Sequence, residues 1–315
     1  MALLGRARAR GAAPVTGRQR AIEAGAGFAG ARRAWGGWGP FRGPHHDQSR
    51  VRDVVVLAAL AFYASPIAWQ LVTSLRPDAD LMESGVGITR LTGAHYVNVA
   101  TASPLPRALG NSAGIAVVTT AVAILLGVAG AYALARLRVP GRRAIMLGVV
   151  MGTAFPAIAT VAPLYLIVRA LGLRDTWAAV VLAHTSFALP LALWLLAGFI
   201  RELPREMEEA ALVDGASPTA ALRYVILPAI APGAAAAAVI TFLASWNEFL
   251  FAYTFTATEA SRTVPVALAL FPGVFEVPWG DLAAAAVLAS VPPIAIVFGL
   301  QRHLVRGLLG GAVKE

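Results

Sequence analysis

The chain has 315 residues, 58% of them hydrophobic and only 14% charged, with a formal net charge of +9 and a mean hydropathy of +0.68. Soluble domains carry roughly 45–50% apolar and about 25% charged residues, so a soluble enzyme, a secreted scaffold and a disordered chain all fit poorly. There is no cysteine, which excludes thiol catalysis, disulfides and cysteine metal sites. The basic residues are 25 arginines and one lysine, Lys314. They gather at the ends of apolar runs rather than along a groove or recognition helix, which points to a membrane and not to nucleic acid.

Residues 1–50 hold nine arginines and only Glu23 and Asp47 as acids. No apolar block there ends in a small-residue cleavage site, which argues against a secretory signal. The composition predicts a disordered basic cytosolic tail over residues 1–52. A start codon further along and an organellar transit peptide are competing readings. Six apolar runs then approach or exceed the ~20 residues that a spanning helix needs. They are residues 54–75, 108–135, 144–170, 177–200, 233–256 and 282–300. The expected fold is an all-α integral membrane bundle of six transmembrane helices. Residues 53–106 supply the first helix and outer loop, 107–301 the main membrane domain and 302–315 a cytosolic C-terminal tail.

Prolines fall inside several runs, at Pro66, Pro156, Pro163, Pro190, Pro292 and Pro293. Membrane bundles tolerate them because neighbouring groups satisfy the freed backbone. Gly127, Gly130, Gly148 and Gly152 are expected to let helices approach closely. With both termini cytosolic, the inner segments hold 20 of the 26 basic residues, as the positive-inside bias requires.

The loop 201–232 is long and patterned. Pro204 suits a first helical turn, with Glu206, Glu208 and Glu209 near the positive end of the helix dipole. Arg205 and Glu209 stand at i, i+4 spacing. Asp214-Gly215 reads as a helix stop and Ser217-Pro218 as a second start, which must yield near Pro228. Such a knuckle can enter a groove on another protein or rest on lipid headgroups. Five acids against three arginines argue against a DNA reader.

Glu209-Ala210-Ala211, three residues, Gly215, nine residues, then Val225-Ile226-Leu227-Pro228 resembles the EAA signature of ATP-binding-cassette importer permeases. Val225 stands where isoleucine is usual. The resemblance implies a type-1 permease domain whose loop seats in a cleft of an ABC ATPase dimer. Glu209, Ala210, Ala211, Asp214, Gly215, Leu227 and Pro228 are its implied docking residues. Three further stretches are similar to the second permease subunit of maltose-type systems: Ser74 to Asp78, Ser245 to Ala252 and Thr263 to Leu268. The implied partners are a second permease subunit, the ATPase dimer, an extracytoplasmic sugar-binding protein and membrane lipid. The implied place is the bacterial cytoplasmic membrane. A non-sugar solute and a secondary transporter remain the alternatives.

Glu248 falls mid-run, where a charge costs at least ~2.5–3.5 kcal/mol and usually faces a bundle interior or an aqueous cavity. Trp246, Asn247 and Glu248 are candidates for a sugar path, and an interhelix hydrogen bond is the plainer reading of Glu248. Asn111 and Thr119 are further path candidates; Ser112 and Thr120 accompany them. His184 is read as a bundle residue with no visible carboxylate partner. Asp78, Asp80 and Glu83 read as a solvated outer face. No metal-ligand cluster, cofactor motif, nucleophile–base pair or phosphate-gripping Gly-x-x-x-x-Gly-Lys-Ser/Thr loop occurs, so the chain is not expected to be an enzyme.

Overall fold

The computed structural model describes residues 45–82, 90–271 and 277–310. Residues 1–44 of the tail expected over residues 1–52, together with Glu83 and Lys314, lie outside the described residues. The chain divides into two compact units, Met1–Ala64 and Ser65–Glu315. Helix α1 (His45–Ser74) begins inside the segment expected to be disordered.

Among the described residues of the second unit every regular element is a helix, joined by short turns and loops. After α2 (Asp78–Met82) and α3 (Ala94–Ala102) come α4 (Leu105–Arg136), α5 (Arg142–Thr153), α6 (Ala157–Ala170) and α7 (Trp177–Glu202). The loop helices are α8 (Arg205–Val213) and α9 (Pro218–Ala221), followed by a π turn (Leu222–Ile226) and α10 (Leu227–Ala229). The remaining described helices are α11 (Ala231–Trp246), α12 (Leu250–Phe255), α13 (Val264–Ala269) and α14 (Trp279–Gly310).

Four helices are long and apolar enough to cross a membrane unbroken: Arg50–Ser74, Leu105–Arg136, Trp177–Glu202 and Trp279–Gln301. The other two expected spans are not single helices. The third bends by 97° between α5 and α6, where Pro156 caps α6. A proline disfavours helical geometry in the residue before it, so Phe155 leaves the helix. The fifth is entered through a 79° bend between Pro218–Ala229 and α11. Pro228 cannot donate to a carbonyl one turn back and its ring crowds that turn; the π turn just before it widens the backbone there. Pro66, Pro163, Pro190, Pro292 and Pro293 stay inside helices as expected.

α4 and α7 pack along each other most extensively. Ala131, Tyr132 and Ala135 meet Leu196, Ala197 and Ile200 there, and Ile226 and Ile230 close the same core. Gly127 and Gly130 sit on this seam, against Leu196 and Leu193. A Cβ added at Gly148 or Gly152 would meet nothing within 4 Å, so neither serves a close approach among the described residues. A second core joins Ala116, Phe242, Trp246, Val264 and Ala285.

Candidate coupling and transport sites

The loop after α7 folds as helix, glycine turn, helix. Pro204 is the cap of α8 rather than its first residue. Ser217 caps α9, its hydroxyl accepting from the Ala220 N–H at 3.2 Å, with Pro218 as first residue. Between them Gly215 adopts φ +87°. The Ala216 N–H reaches Ala211 O at 3.0 Å and the Gly215 N–H reaches Leu212 O at 3.1 Å, the pair of bonds that closes a helix on a left-handed glycine. A Cβ at Gly215 would meet nothing within 4 Å, so backbone conformation, not space within the chain, demands glycine.

Glu209, Ala210, Asp214 and Gly215 are exposed and Ala211 is half-buried. The tip is apolar as well: Val213 is 86% exposed, with Met207 and Leu212 exposed beside it. Arg205 and Glu209 form no ion pair among the described residues, because Arg205 turns toward a basic cavity instead. Leu227 and Pro228 are exposed at the bend into α11, not on the glycine turn.

Glu208, which the sequence marks only as an acid near a helix start, is the buried anchor of this elbow. It accepts from the Tyr132 hydroxyl at 2.6 Å, and its other oxygen lies 3.4 Å from Arg136 Nε. Arg136 Nη2 donates to the carbonyls of Ile200 at 2.8 Å and Leu203 at 2.7 Å. One acid and one arginine therefore tie α8 to the ends of both α4 and α7. An acid one residue ahead of the Glu-Ala-Ala run, on the opposite face from Val213, was the available signal.

In span five, the helix expected to continue past Glu248 stops at Trp246. Glu248 instead caps α12, its oxygens accepting from the Phe251 N–H at 2.9 Å and the Ala252 N–H at 3.1 Å. His184 does have a carboxylate partner, contrary to the reading of it as alone. Its Nε2 lies 2.9 Å from Glu248 Oε2 and its Nδ1 lies 2.7 Å from Ser245 Oγ. Both ring nitrogens are thereby engaged, and Glu248 and Ser245 each gain a partner on span four.

The break turns neighbouring side chains into different spaces. Trp246 and Asn247 border a cavity of about 660 Å³ together with Gln70, Pro265, Ser290 and Pro293. Glu248, His184 and Ser245 border a smaller one of about 210 Å³ with Thr241 and Phe187. The two other path candidates, Asn111 and Thr119, are both buried within the bundle. Asn111 is buried, donating to the carbonyls of Glu259 at 3.2 Å and Arg262 at 2.8 Å and accepting from Trp177 Nε1 at 3.2 Å. Thr119 is fully enclosed and its hydroxyl has no hydrogen-bond partner among the described residues.

Two polar ties hold the loops at the Leu105 end of α4. Asp175, at φ 63°, accepts from the Ala257 and Thr258 N–H groups at 2.8 and 3.0 Å and from the Thr258 and Ser261 hydroxyls. Burial alone would raise its carboxyl, but these four donors hold it well below the usual carboxylate range. His95 Nδ1 meets Asp281 at 2.6 Å and Nε2 meets the Arg76 carbonyl at 2.9 Å, with Asp78 3.8 Å away. Asp78 stays solvated, its side chain 70% exposed, and adds only its charge to this tie. Burial pulls the imidazole down, but the Asp281 and Arg76 bonds and the charges of Asp78 and Asp281 outweigh it and raise the ring above its ordinary value. Both ring nitrogens face acceptors, so the cation fits best. Its stabilisation is complete below about pH 6.5 and is lost as pH rises through the raised value. Thermal melts of the purified chain are expected to fall across that interval, and His95→Gln is expected to flatten the dependence.

Comparison with known proteins places the chain. A family profile described as "Binding-protein-dependent transport system inner membrane component" matches residues 123–310. The "Trehalose transport system permease protein SugB" of Mycobacterium tuberculosis is 42% identical over 251 residues, 79% of this chain and 92% of that one. The "Trehalose/maltose transport system permease protein MalG" of Thermococcus litoralis is 35% identical over 263 residues, 82% of this chain and 94% of that one. A chain of a bacterial ABC transporter involved in alginate import superposes with a TM-score of 0.72 at 20% identity, covering 84% of this chain and 99% of that one; it bears on the fold alone. The chain belongs to the family of binding-protein-dependent transport system inner membrane components, as a multi-pass permease subunit that leaves ATP hydrolysis to a partner.

Proposed function

We propose that this chain is one of two permease subunits of a sugar importer, with both termini and the elbow in the cytosol. An ABC ATPase dimer docks on the elbow, a second permease completes the pathway, and an extracytoplasmic binding protein delivers the sugar. The observation that carries this reading is the elbow itself: an exposed apolar tip at Val213 on a glycine turn, anchored from behind by Glu208. An apolar side chain that exposed on a rigid helix end fits a groove in another protein. ATP closes the ATPase dimer, the elbow moves with it, and Arg136 passes the motion to α4 and α7. The bundle then shifts between inward- and outward-open populations. Sugar cargo is favoured by the relatives named for trehalose and maltose transport and by Trp246 and Asn247 on the larger cavity, an aromatic face beside an amide. Family membership replaces the secondary-transporter alternative.

Gly215→Trp tests the docking directly. A left-handed turn disfavours any side chain by roughly 1–2 kcal/mol, and the indole would occupy the space left for the ATPase. Membrane insertion is expected to persist while ATP-driven sugar uptake falls at least about tenfold. Unchanged uptake would refute the docking. A panel of labelled trehalose, maltose and amino acids taken up by cells carrying the intact transporter tests the cargo.

A further inference from the structure

A basic cavity of about 380 Å³ lies where α5, α7 and α8 come together, and transport as described leaves it unused. Arg142 and Arg143 open α5, Arg201 lies in the last turn of α7 and Arg205 opens α8; all four line it, over apolar Leu134 and Met146. No acid lines it, and no ion pair among the described residues involves any of the four. Arg136 makes the contrast, because Glu208 neutralises it. Four guanidinium groups around one small space repel one another unless an anion joins them.

We propose that this cavity binds the phosphate headgroup of an anionic membrane phospholipid. The planar guanidinium fork matches phosphate oxygens two at a time. Basic pockets between transmembrane helices suit such headgroups. The surroundings select lipid over a soluble anion. No residue of α5 is buried, and Ile145, Leu147 and Met151 expose apolar side chains along the helix that Arg142 and Arg143 begin. Acyl chains would cover that surface; an inorganic anion or an acidic protein segment in the cavity would leave it bare. The headgroup would also bridge the elbow, through Arg205, to the ends of α5 and α7, so lipid charge would bear on how firmly the elbow is held.

The test uses the full chain in its assembled transporter, in detergent, with labelled phosphatidylglycerol and phosphatidylcholine. The native protein is expected to retain phosphatidylglycerol in preference. Arg142→Gln with Arg201→Gln is expected to weaken that retention about thirtyfold, at roughly one surface arginine's worth of attraction each. Arg138→Gln, outside the cavity, and the paired lysine substitutions at 142 and 201 should keep most of it. Equal retention by the native and doubly substituted proteins would overturn the proposal. Displacement of the lipid label by inorganic phosphate at comparable concentration would also overturn it, and needs only the native protein. So would a double variant that keeps the lipid but no longer captures the ATPase, which would make the cavity a protein contact.

Discussion

Glu208→Ala is expected to abolish most uptake while leaving the ATPase bound. The substitution strands Arg136, whose side chain is only 5% exposed, and takes the acceptor from the Tyr132 hydroxyl. Breaking a buried ion pair by removing one partner costs about 3–5 kcal/mol. Arg136 keeps the Ile200 and Leu203 carbonyls, so the loss should fall toward the lower end of that range. The consequence is mechanical as well as energetic. Gly215, Val213 and the exposed face of α8 survive, so the docking surface is still present, but its tie to α4 and α7 is gone. ATP hydrolysis should continue without transport. Glu208→Gln keeps an acceptor for Tyr132 without the charge for Arg136 and should retain part of the uptake. Copurification of the ATPase, hydrolysis and uptake, measured side by side, separate this outcome from simple misfolding, in which all three would fall together.

The second large effect is expected at the break in span five. Glu248→Ala removes the cap of α12 and the carboxylate partner of His184 at once. Losing a helix cap costs about 0.5–2 kcal/mol, and leaving a buried polar group unsatisfied adds about 1–3 kcal/mol. The expected result is a clear fall in thermal stability together with loss of uptake, because Trp246 and Asn247 are turned toward the larger cavity by that same break. Glu248→Gln should be much milder, since its amide oxygen can still accept from α12. His184→Ala, which leaves the cap intact, should cost less than Glu248→Ala. A ranking in which His184→Ala is the more damaging would show that the interhelix bond, not the cap, is what holds the site.

Periodicity and local chemistry made much of this legible. The long apolar runs mark the spans, and the loop shows its own helix stop and restart through Gly215, Ser217 and Pro218. Hydropathy sees only composition, however, so it joins α5 to α6 across Pro156 and runs α11 on through Glu248. Both breaks depend on where backbone hydrogen bonds go. Glu248 looked like a charge in the middle of a helix; it is tolerable because it sits at a helix start, with two N–H donors and a histidine 64 residues away. The same distance in sequence hid the partner of His184. Glu208 was hidden because only tertiary packing brings it to Tyr132 and Arg136, 76 and 72 residues earlier. Asn111 was ambiguous in sequence for the opposite reason: a polar residue in a span is as readily a tie between loops as a contact for cargo.

The most direct measurement uses the absence of native cysteine. Ala210→Cys and Val213→Cys place single thiols on the exposed face of the elbow, to be joined by a short bifunctional reagent to single cysteines around the cleft of the partner ATPase in the assembled transporter. Efficient crosslinks from both positions, shifting with nucleotide, are what a docked and moving elbow predicts. If neither thiol captures the ATPase while a control thiol elsewhere on the chain reacts normally, the elbow does not couple ATP to transport.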